Sequence, residues 1–210
     1  DPPTPDPPTD GYDAIVVAGG SGSRLGGTVP GHKAQIRLAG RLLVDHVLAA
    51  VGDAATVVCV ASGLPERLLG DPLRCVEQPV GAGPLAAVAA GLELVTSERV
   101  ALVAADTPFI GGALTSLRRE LEARDADAAV LVDADGRRHY LAAVWRTTAL
   151  RSSLVALGDV TGRSMRSLYD LPQLEVVGVP DVDGSVFDVD TAEDLAVAEK
   201  RVAASRGSRG

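Results

Sequence analysis

The sequence is poor in the residues that mark several common classes of protein. Its 210 residues include only two cysteines and three histidines, and neither type shows the spacing of a metal site or the density of a disulfide scaffold. The net charge of −8 gives no positive surface that would favour nucleic acid or a membrane as a partner. No apolar run reaches the roughly 18 residues of a membrane span, and no signal-peptide pattern is present at the N-terminus. These absences lead us to expect a cytoplasmic protein.

Two familiar phosphate-binding motifs are also missing. A P-loop closes with Gly-Lys-Ser/Thr, and the glycine-rich segment after the first apolar run contains no such tripeptide. The dinucleotide fingerprint is disrupted at its third glycine, which falls at Gly26, and its acidic residue is missing after the second predicted strand, which leads into Ala61, Ser62 and Gly63. The sequence therefore argues against a Walker-type NTPase and against a dinucleotide-binding domain.

Short apolar runs alternate along the chain with longer segments of helical period. This alternation is typical of a mostly parallel sheet covered by helices on both faces, so it predicts an α/β fold with a Rossmann-like three-layer sandwich. With 46% apolar residues, the chain has material for a single domain, expected over residues 12–202. The proline-rich residues 1–11 and residues 203–210 are expected to be disordered tails. The predicted strands cover residues 14–18, 56–60, 73–76, 100–104, 128–132, 141–145 and 175–179.

The strongest functional signal is the segment 15–40, IVVAGGSGSRLGGTVPGHKAQIRLAG. An apolar strand leads into a loop with glycines at 19, 20, 22, 26 and 27, together with Arg24 and Lys33. Glycines let backbone N–H groups turn tightly and approach phosphate oxygens, and the two cations can neutralise their charge. A glycine turn without a ligand is the alternative, although five glycines are entropically costly for a mere turn. The loop is predicted to bind phosphate groups.

Four blocks in this order resemble one known family. The loop reads A-G-G-x-x-S-R-x-G followed by a Lys and by L-x-G, residues 83–87 read GPLAA, residues 105–109 read ADTPF, and residues 187–195 read FDVDTAEDL. Over residues 12–200 the chain thereby resembles the nucleotidyltransferases that act on the molybdenum cofactor, the MobA-like NTP transferases, and within them the guanylyltransferase branch. The resemblance implies the fold of nucleotide-diphospho-sugar transferases.

The resemblance also implies an activity, the Mg²⁺-dependent transfer of GMP from GTP to the phosphate of molybdopterin or the molybdenum cofactor, with release of pyrophosphate. Arg24, Lys33 and Asp106 would be catalytic, since Arg24 and Lys33 neutralise the triphosphate and Lys33 stabilises charge at the α-phosphate. Asp106 ends a strand at its carboxyl edge, where it would hold Mg²⁺ together with Asp190. The residues implied in nucleotide binding are Ala18, Gly19, Gly20, Ser21, Lys33, Glu77, Gly83, Pro84, Leu85 and Asp106.

Simpler structural roles stay open for several carboxylates. Asp106 could instead cap a helix that begins just after it, and Glu77 could be a solvated loop acid. Glu193 and Asp194 are interpreted as first-turn residues that complement the dipole of the last helix.

The acceptor side of the site is less sharply defined. Arg137, Arg138, Arg163 and Arg166 are candidates for binding the pterin phosphate, with solvated surface arginines as the alternative. His139, in the same region, is interpreted as structural. A downstream molybdoenzyme or a chaperone is a further partner that the resemblance allows.

The sequence departs from the family in ways that leave rival functions open. The loop before Lys33 is longer than usual, Asp188 and Asp190 replace asparagines, and an asparagine after the second strand is missing. One rival is a cytidylyltransferase or other pyrophosphorylase of the same fold, against which the GPLAA block argues. The other is a non-catalytic nucleotide-binding accessory protein, against which Lys33 and Asp106 argue. Base selection, the number of metal ions and the oligomeric state stay open at this point.

Overall fold

A computed structural model of the chain describes residues 11–19 and 35–207. Within these residues short strands alternate with helices, as the apolar pattern predicts. The strands are β1 (Asp13–Val17), β2 (Arg37–Leu38), β3 (Arg41–Leu42), β4 (Val57–Val60), β5 (Leu73–Cys75), β6 (Arg99–Ala104), β7 (Ala128–Val132), β8 (Arg138–Arg146) and β9 (Val176–Pro180). The helices are α1 (Leu43–Ala50), α2 (Pro84–Leu92), α3 (Gly111–Ala123), α4 (Thr147–Leu157), α5 (Arg166–Tyr169) and α6 (Ala192–Gly207).

The larger sheet has seven strands in the order β5-β4-β1-β6-β8-β7-β9. Its neighbouring strands are parallel except where β8 is involved, because β8 runs antiparallel to both β6 and β7. The predicted α/β fold with a mostly parallel sheet is therefore confirmed. The direction of β8 cannot be read from its apolar run, since a strand buried on both faces looks the same in either direction.

Two apolar layers cover the faces of the sheet. Along β1, Ala14 and Val16 pack beneath α1 and α3, while Ile15 and Val17 pack on the other face beneath α2, α4 and α5. Every residue of β1 is buried, which explains why its sequence is a continuous apolar run rather than an alternating one. Cys59 belongs to the first layer, and burial raises the pKa of its thiol to about 12, so it has the properties of a core residue.

A small hairpin, β2 and β3, is not among the predicted strands. It turns at Ala39 and Gly40, which both have positive φ, 51° and 81°, a geometry that suits a two-residue hairpin turn. Leu38 and Leu43 beside this turn pack against Val189 and the helix α6 in a third apolar cluster. Two-residue strands are too short to produce a periodic pattern, so the hairpin is not detectable by periodicity.

Helix α6 corrects the predicted C-terminal boundary. The helix continues to Gly207, whereas the sequence predicts a disordered tail over residues 203–210. Alanine favours the helix at positions 203 and 204, and the Ser205 hydroxyl donates a hydrogen bond to the Val202 carbonyl at 2.8 Å. Residues 1–10 and 208–210 of the predicted tails lie outside the described residues. Among the helices of the described ranges, none is long and apolar enough to cross a membrane.

Candidate functional site

The predicted nucleotide-binding residues that the structure describes lie at or near one edge of the sheet. The parallel strands β1, β4, β5 and β6 all end there. Ala18 and Gly19 follow β1, and Asp106 follows the neighbouring strand β6. The Ala105 N–H donates to the Val17 carbonyl at 3.0 Å, which extends the contact between the two strands to their ends. Ligands of open α/β sheets bind at this carboxyl edge.

Four of the predicted site residues cannot be placed by the structure. Gly20, Ser21, Arg24 and Lys33 lie in the segment 20–34, outside the described residues. Their roles in cradling and neutralising a triphosphate therefore stay predictions.

Asp106 and Asp190 line the same cavity, whose volume is about 710 Å³. The Val189 N–H donates to the Asp106 carbonyl at 3.0 Å, so the segment before α6 is joined directly to the end of β6. Asp188 also lines this cavity. Asp106 does not cap the following helix, because α3 begins at Gly111 and its N-cap residue is Ile110. A capping role for Asp106 at the start of α3 is thereby excluded.

The backbone at Asp190 is held by the start of helix α6. The Asp194 carboxylate accepts hydrogen bonds from the N–H groups of Asp190 and Thr191, at 3.2 and 2.8 Å, and from the Thr191 hydroxyl at 2.8 Å. The Asp194 N–H in turn donates to the Thr191 hydroxyl at 3.1 Å. This reciprocal arrangement is a capping box, and it fixes the segment that carries Asp190. Asp194 therefore does more than the first-turn dipole interaction predicted for it.

The donor set of this cavity fits a magnesium ion. Mg²⁺ is commonly bound through one or two carboxylates, with substrate phosphates and water completing its shell, and Asp106 and Asp190 offer two carboxylates in one cavity. Within residues 11–19 and 35–207, no group of three or more His, Cys, Asp or Glu side chains is arranged to hold a metal ion. A cation here would thus need oxygens from the substrate in addition to the two carboxylates.

Glu77 lies in the segment between β5 and α2, and it is buried rather than solvated. Glu77 is only 7% exposed, and its Oε1 accepts a hydrogen bond from the Gly81 N–H at 3.0 Å. Its Oε2 is also buried and has no hydrogen-bond partner among the described residues. A buried polar atom without a partner costs roughly 1–3 kcal/mol, so this oxygen is an unsatisfied acceptor within the loop.

The GPLAA block forms the start of helix α2. Gly83 is its N-cap with φ of 101°, a conformation that a side chain would strain, and Pro84 occupies the first turn. Leu85 has 0% exposure and packs in the second apolar layer. Its side chain therefore belongs to the core and is not available to a ligand.

Most of the arginines considered for the acceptor phosphate line the cavity of Asp106. Its wall includes Arg137, from the turn between β7 and β8, Arg138, at the start of β8, and Arg166, at the start of α5. Arg163 is not among the lining residues. Arg166 also forms an ion pair with Asp170 at 3.1 Å.

The segment before α5 also contacts the loop that contains Ala82. The Gly162 N–H donates to the Ala82 carbonyl at 2.8 Å, so the segment that precedes Arg166 touches the loop that precedes α2.

His139 is a cavity residue to which the sequence interpretation assigns a purely structural role. It lines the cavity next to Arg138, and its Nε2 lies 2.9 Å from an oxygen of Asp133. The sequence offers one signal for this contact, the turn residues ADG at 134–136 between two apolar strands. Pairing the two strands as a hairpin brings Asp133 close to His139.

Comparison with known proteins identifies related sequences. Residues 14–176 match the profile of the MobA-like NTP transferase domain. A molybdenum cofactor guanylyltransferase of Bradyrhizobium sp. is 34% identical over 203 residues, which cover 90% of this chain and 92% of that protein. A probable molybdenum cofactor guanylyltransferase of Mycobacterium marinum is 34% identical over 196 residues, covering 86% and 90%.

Solved structures agree on the fold. Molybdopterin-guanine dinucleotide biosynthesis protein A from Archaeoglobus fulgidus matches with a TM-score of 0.67 and 22% identity, covering 91% of this chain and 98% of that chain. The 2-C-methyl-D-erythritol 4-phosphate cytidylyltransferase from Thermus thermophilus matches with a TM-score of 0.67 and 21% identity, covering 90% and 98%. At such identities the likeness establishes the fold alone, and the same fold accommodates both names.

Proposed function

Because the chain belongs to the MobA-like NTP transferase domain family, we propose that it transfers GMP from GTP to the phosphate of molybdopterin or the molybdenum cofactor, releasing pyrophosphate. The observation that carries the proposal is the cavity at the carboxyl edge of the sheet. Its wall combines carboxylates, from Asp106 and Asp190, with cationic side chains from the β7–β8 turn. A site that joins two phosphate-bearing substrates needs both kinds of group.

The acceptor in this reaction attacks through a phosphate oxygen. A phosphate monoester has its second pKa near ~6, so at neutral pH it is already ionised and requires no general base. Catalysis then consists of holding the attacking oxygen in line with the α-phosphorus and of stabilising the charge that develops there. Asp106 and Asp190 would hold Mg²⁺, which supplies charge neutralisation at the phosphate oxygens.

The remaining groups have roles in binding the two substrates. Arg24 and Lys33 are proposed to neutralise the triphosphate from the glycine-rich loop, beside Ala18 and Gly19 at the end of β1. The Oε2 atom of Glu77 is proposed to accept a hydrogen bond from the nucleotide. The first-turn amides of α2, preceded by Gly83, offer donors to an anionic or carbonyl oxygen. We place the reaction in the cytoplasm and propose that its product passes to a molybdoenzyme or a chaperone.

The first test compares thermal stabilisation by GTP, CTP, ATP and UTP, each with Mg²⁺. A ligand at 100 times its dissociation constant stabilises the native state by roughly 2.7 kcal/mol, and we expect such a shift with GTP alone. GMP transfer to molybdopterin and pyrophosphate release are then measured directly. A shift with CTP alone would instead identify a cytidylyltransferase, and nucleotide binding without any transfer would identify a non-catalytic nucleotide-binding protein.

A further inference from the structure

One carboxylate organises the turn between β7 and β8. Asp133 Oδ1 accepts hydrogen bonds from the N–H groups of Asp135, at 3.0 Å, and Arg137, at 2.9 Å. Its Oδ2 lies 2.9 Å from Nε2 of His139. These hydrogen bonds, that of His139 foremost, hold the pKa of Asp133 below its ordinary value of 3.8. Both oxygens of Asp133 are thus engaged by the turn itself. We refer to residues 133–139 as the Asp133 turn.

The pairing of the two strands brings the histidine to this position. The register shifts between Val130 and Leu131, so that Val130 pairs with Ala143 whereas Leu131 pairs with His139. Such irregularities bend a strand and redirect its side chains, and they are common beside active sites. The side chain of His139 is 17% exposed, and it lines the cavity together with Tyr140.

Only one ring nitrogen of His139 is left for a ligand. Because Nε2 contacts Asp133, Nδ1 is the atom that remains available on the ring. With Asp133 at Nε2, a hydrogen bond between the ring and an oxyanion would be made by Nδ1. His139 lines the cavity, so a ligand bound there can approach the ring.

The charges around the cavity divide by element. The Asp133 turn contributes Arg137, Arg138 and the imidazole of His139, and the start of α5 contributes Arg166. The end of β6 and the segment before α6 contribute the carboxylates of Asp106, Asp188 and Asp190. A dianionic phosphate is repelled by carboxylates unless a cation intervenes, and it is attracted by arginine guanidinium groups. The acceptor phosphate therefore fits the side of the cavity formed by the turn.

We propose that the Asp133 turn is the subsite for the acceptor's phosphate monoester, in which His139 binds a phosphate oxygen and Asp133 is the positioning residue that orients the imidazole ring. The subsite rests on the proposed function only for the identity of the acceptor. The chemistry that it recognises is a phosphate monoester attached to a larger group.

The test uses phenyl phosphate, a stable aromatic phosphate monoester, as the probe. Its dissociation constant is measured by NMR titration of the backbone amide resonances in the full chain, for the wild type, His139→Ala, His139→Gln and Asp133→Asn. The matched control is His46→Gln, because His46 contacts the Leu38 carbonyl and is not among the cavity residues. GTP·Mg²⁺ affinity is measured in parallel for every variant.

We expect the His139→Ala variant to bind phenyl phosphate about 10-fold more weakly, the effect of losing one hydrogen bond to a charged group, with unchanged GTP·Mg²⁺ affinity. Asp133→Asn should weaken binding in the same direction, His139→Gln should retain part of it, and His46→Gln should retain it fully. In the transfer assay the KM for the acceptor should rise while kcat changes less. Unaltered phenyl phosphate binding by His139→Ala, equal weakening of GTP binding, or no binding of phenyl phosphate by the wild type would overturn the proposal.

The two proposals can fail separately. If the wild type transfers no GMP but binds phenyl phosphate in a His139-dependent manner, the proposed function is wrong and the subsite stands. If GMP transfer occurs with the same acceptor KM in His139→Ala, the subsite is wrong and the proposed function stands.

Discussion

Glu77 is a residue whose burial gives it a testable role. Replacing Glu77 by Gln keeps the shape of the side chain but substitutes an amide for the buried carboxylate, which weakens any hydrogen bond that Oε2 accepts from the nucleotide. We expect GTP to bind Glu77→Gln about 10-fold more weakly, equivalent to ~1.4 kcal/mol, as measured by calorimetry. Glu66→Gln, at an exposed loop position, is the control. Equal GTP affinity in the wild type and in Glu77→Gln would limit Glu77 to bracing its loop through Gly81.

The two acidic positions before α6 allow a matched comparison of metal binding. Asp190 and Asp188 both line the cavity, but Asp188 is exposed and the Asp190 backbone is fixed by Asp194. We expect Asp190→Asn to raise the Mg²⁺ concentration for half-maximal activity several-fold, because one carboxylate ligand is removed, and Asp188→Asn to change it less. Asp106→Asn should lower kcat by about 10²-fold or more. If Asp190→Asn and Asp188→Asn require the same Mg²⁺ concentration for half-maximal activity, Asp190 is excluded as the preferred ligand.

At the residue scale the sequence locates the groups that follow regular signals. Asp106 ends an apolar run, which assigns it to the carboxyl edge of the sheet, whereas Asp190 is assigned beside it only through the family resemblance. His139 cannot be assigned in this way, because its contact with Asp133 depends on an irregular register between β7 and β8. Glu77 is a candidate from sequence, but its burial depends on how the loop folds back through Gly81.

The β2–β3 hairpin is an element whose turn can be improved. Ala39 has a φ of 51°, a left-handed conformation that costs alanine roughly 1–2 kcal/mol and that asparagine tolerates better. We expect Ala39→Asn to raise Tm by about 1–4 °C, measured by calorimetry. Ala55→Asn is the control, since Ala55 is an exposed loop residue outside the positive-φ positions of the described chain. If the Tm of Ala39→Asn is no higher than that of the wild type, the turn is already relaxed by the hydrogen bond from the Ala39 N–H to Glu199.

The elements differ in how far sequence can predict them. Strands of the central sheet are detectable because their burial on both faces produces continuous apolar runs, as in β1 and β7. The antiparallel direction of β8 carries no such signature, and the hairpin is too short to have one. The C-terminal turns of α6 carry residues 203–207, whose polar and small side chains resemble those of a loop although the backbone is helical.

At the scale of the molecule, a group of stabilising charges among the described residues lies at the amino edge of the sheet, opposite the cavity that contains Asp106 and Asp190. At the amino edge, Arg99 of β6 pairs with Glu122 at 2.6 Å, and Arg146 of β8 reaches the same carboxylate at 3.4 Å. Asp13 at the start of β1 is buried and accepts hydrogen bonds from Thr96 and Ser97. Substitutions at this edge should therefore change stability without changing substrate affinity.

The contribution of Asp13 to the stability of the fold depends on pH. Burial alone would raise the pKa of Asp13, but the hydrogen bonds from Ser97 and Thr96 outweigh it and hold the pKa below its ordinary value of 3.8. The unfolded state then binds more protons than the folded state near that pH, so this contribution to stability is present above pH 3.8 and is lost as the pH falls through the lower, folded value.

The variant Asp13→Asn tests that dependence by urea unfolding. We expect its free energy of unfolding to be lower than that of the wild type by about 2 kcal/mol at pH 7, with the difference shrinking below pH 4. GTP affinity should not change. A difference that is constant with pH would mean that the carboxylate charge of Asp13 contributes nothing.

The hydrogen bond from Gly162 to the Ala82 carbonyl joins the segment before α5 to the loop before α2. Gly162 precedes Met165 and Arg166, which line the cavity, and Ala82 precedes Gly83, the N-cap of α2. If the two substrates of the proposed reaction bind on either side of this contact and one of them shifts it, the effect is reciprocal: the acceptor would tighten GTP binding by the same factor by which GTP tightens acceptor binding.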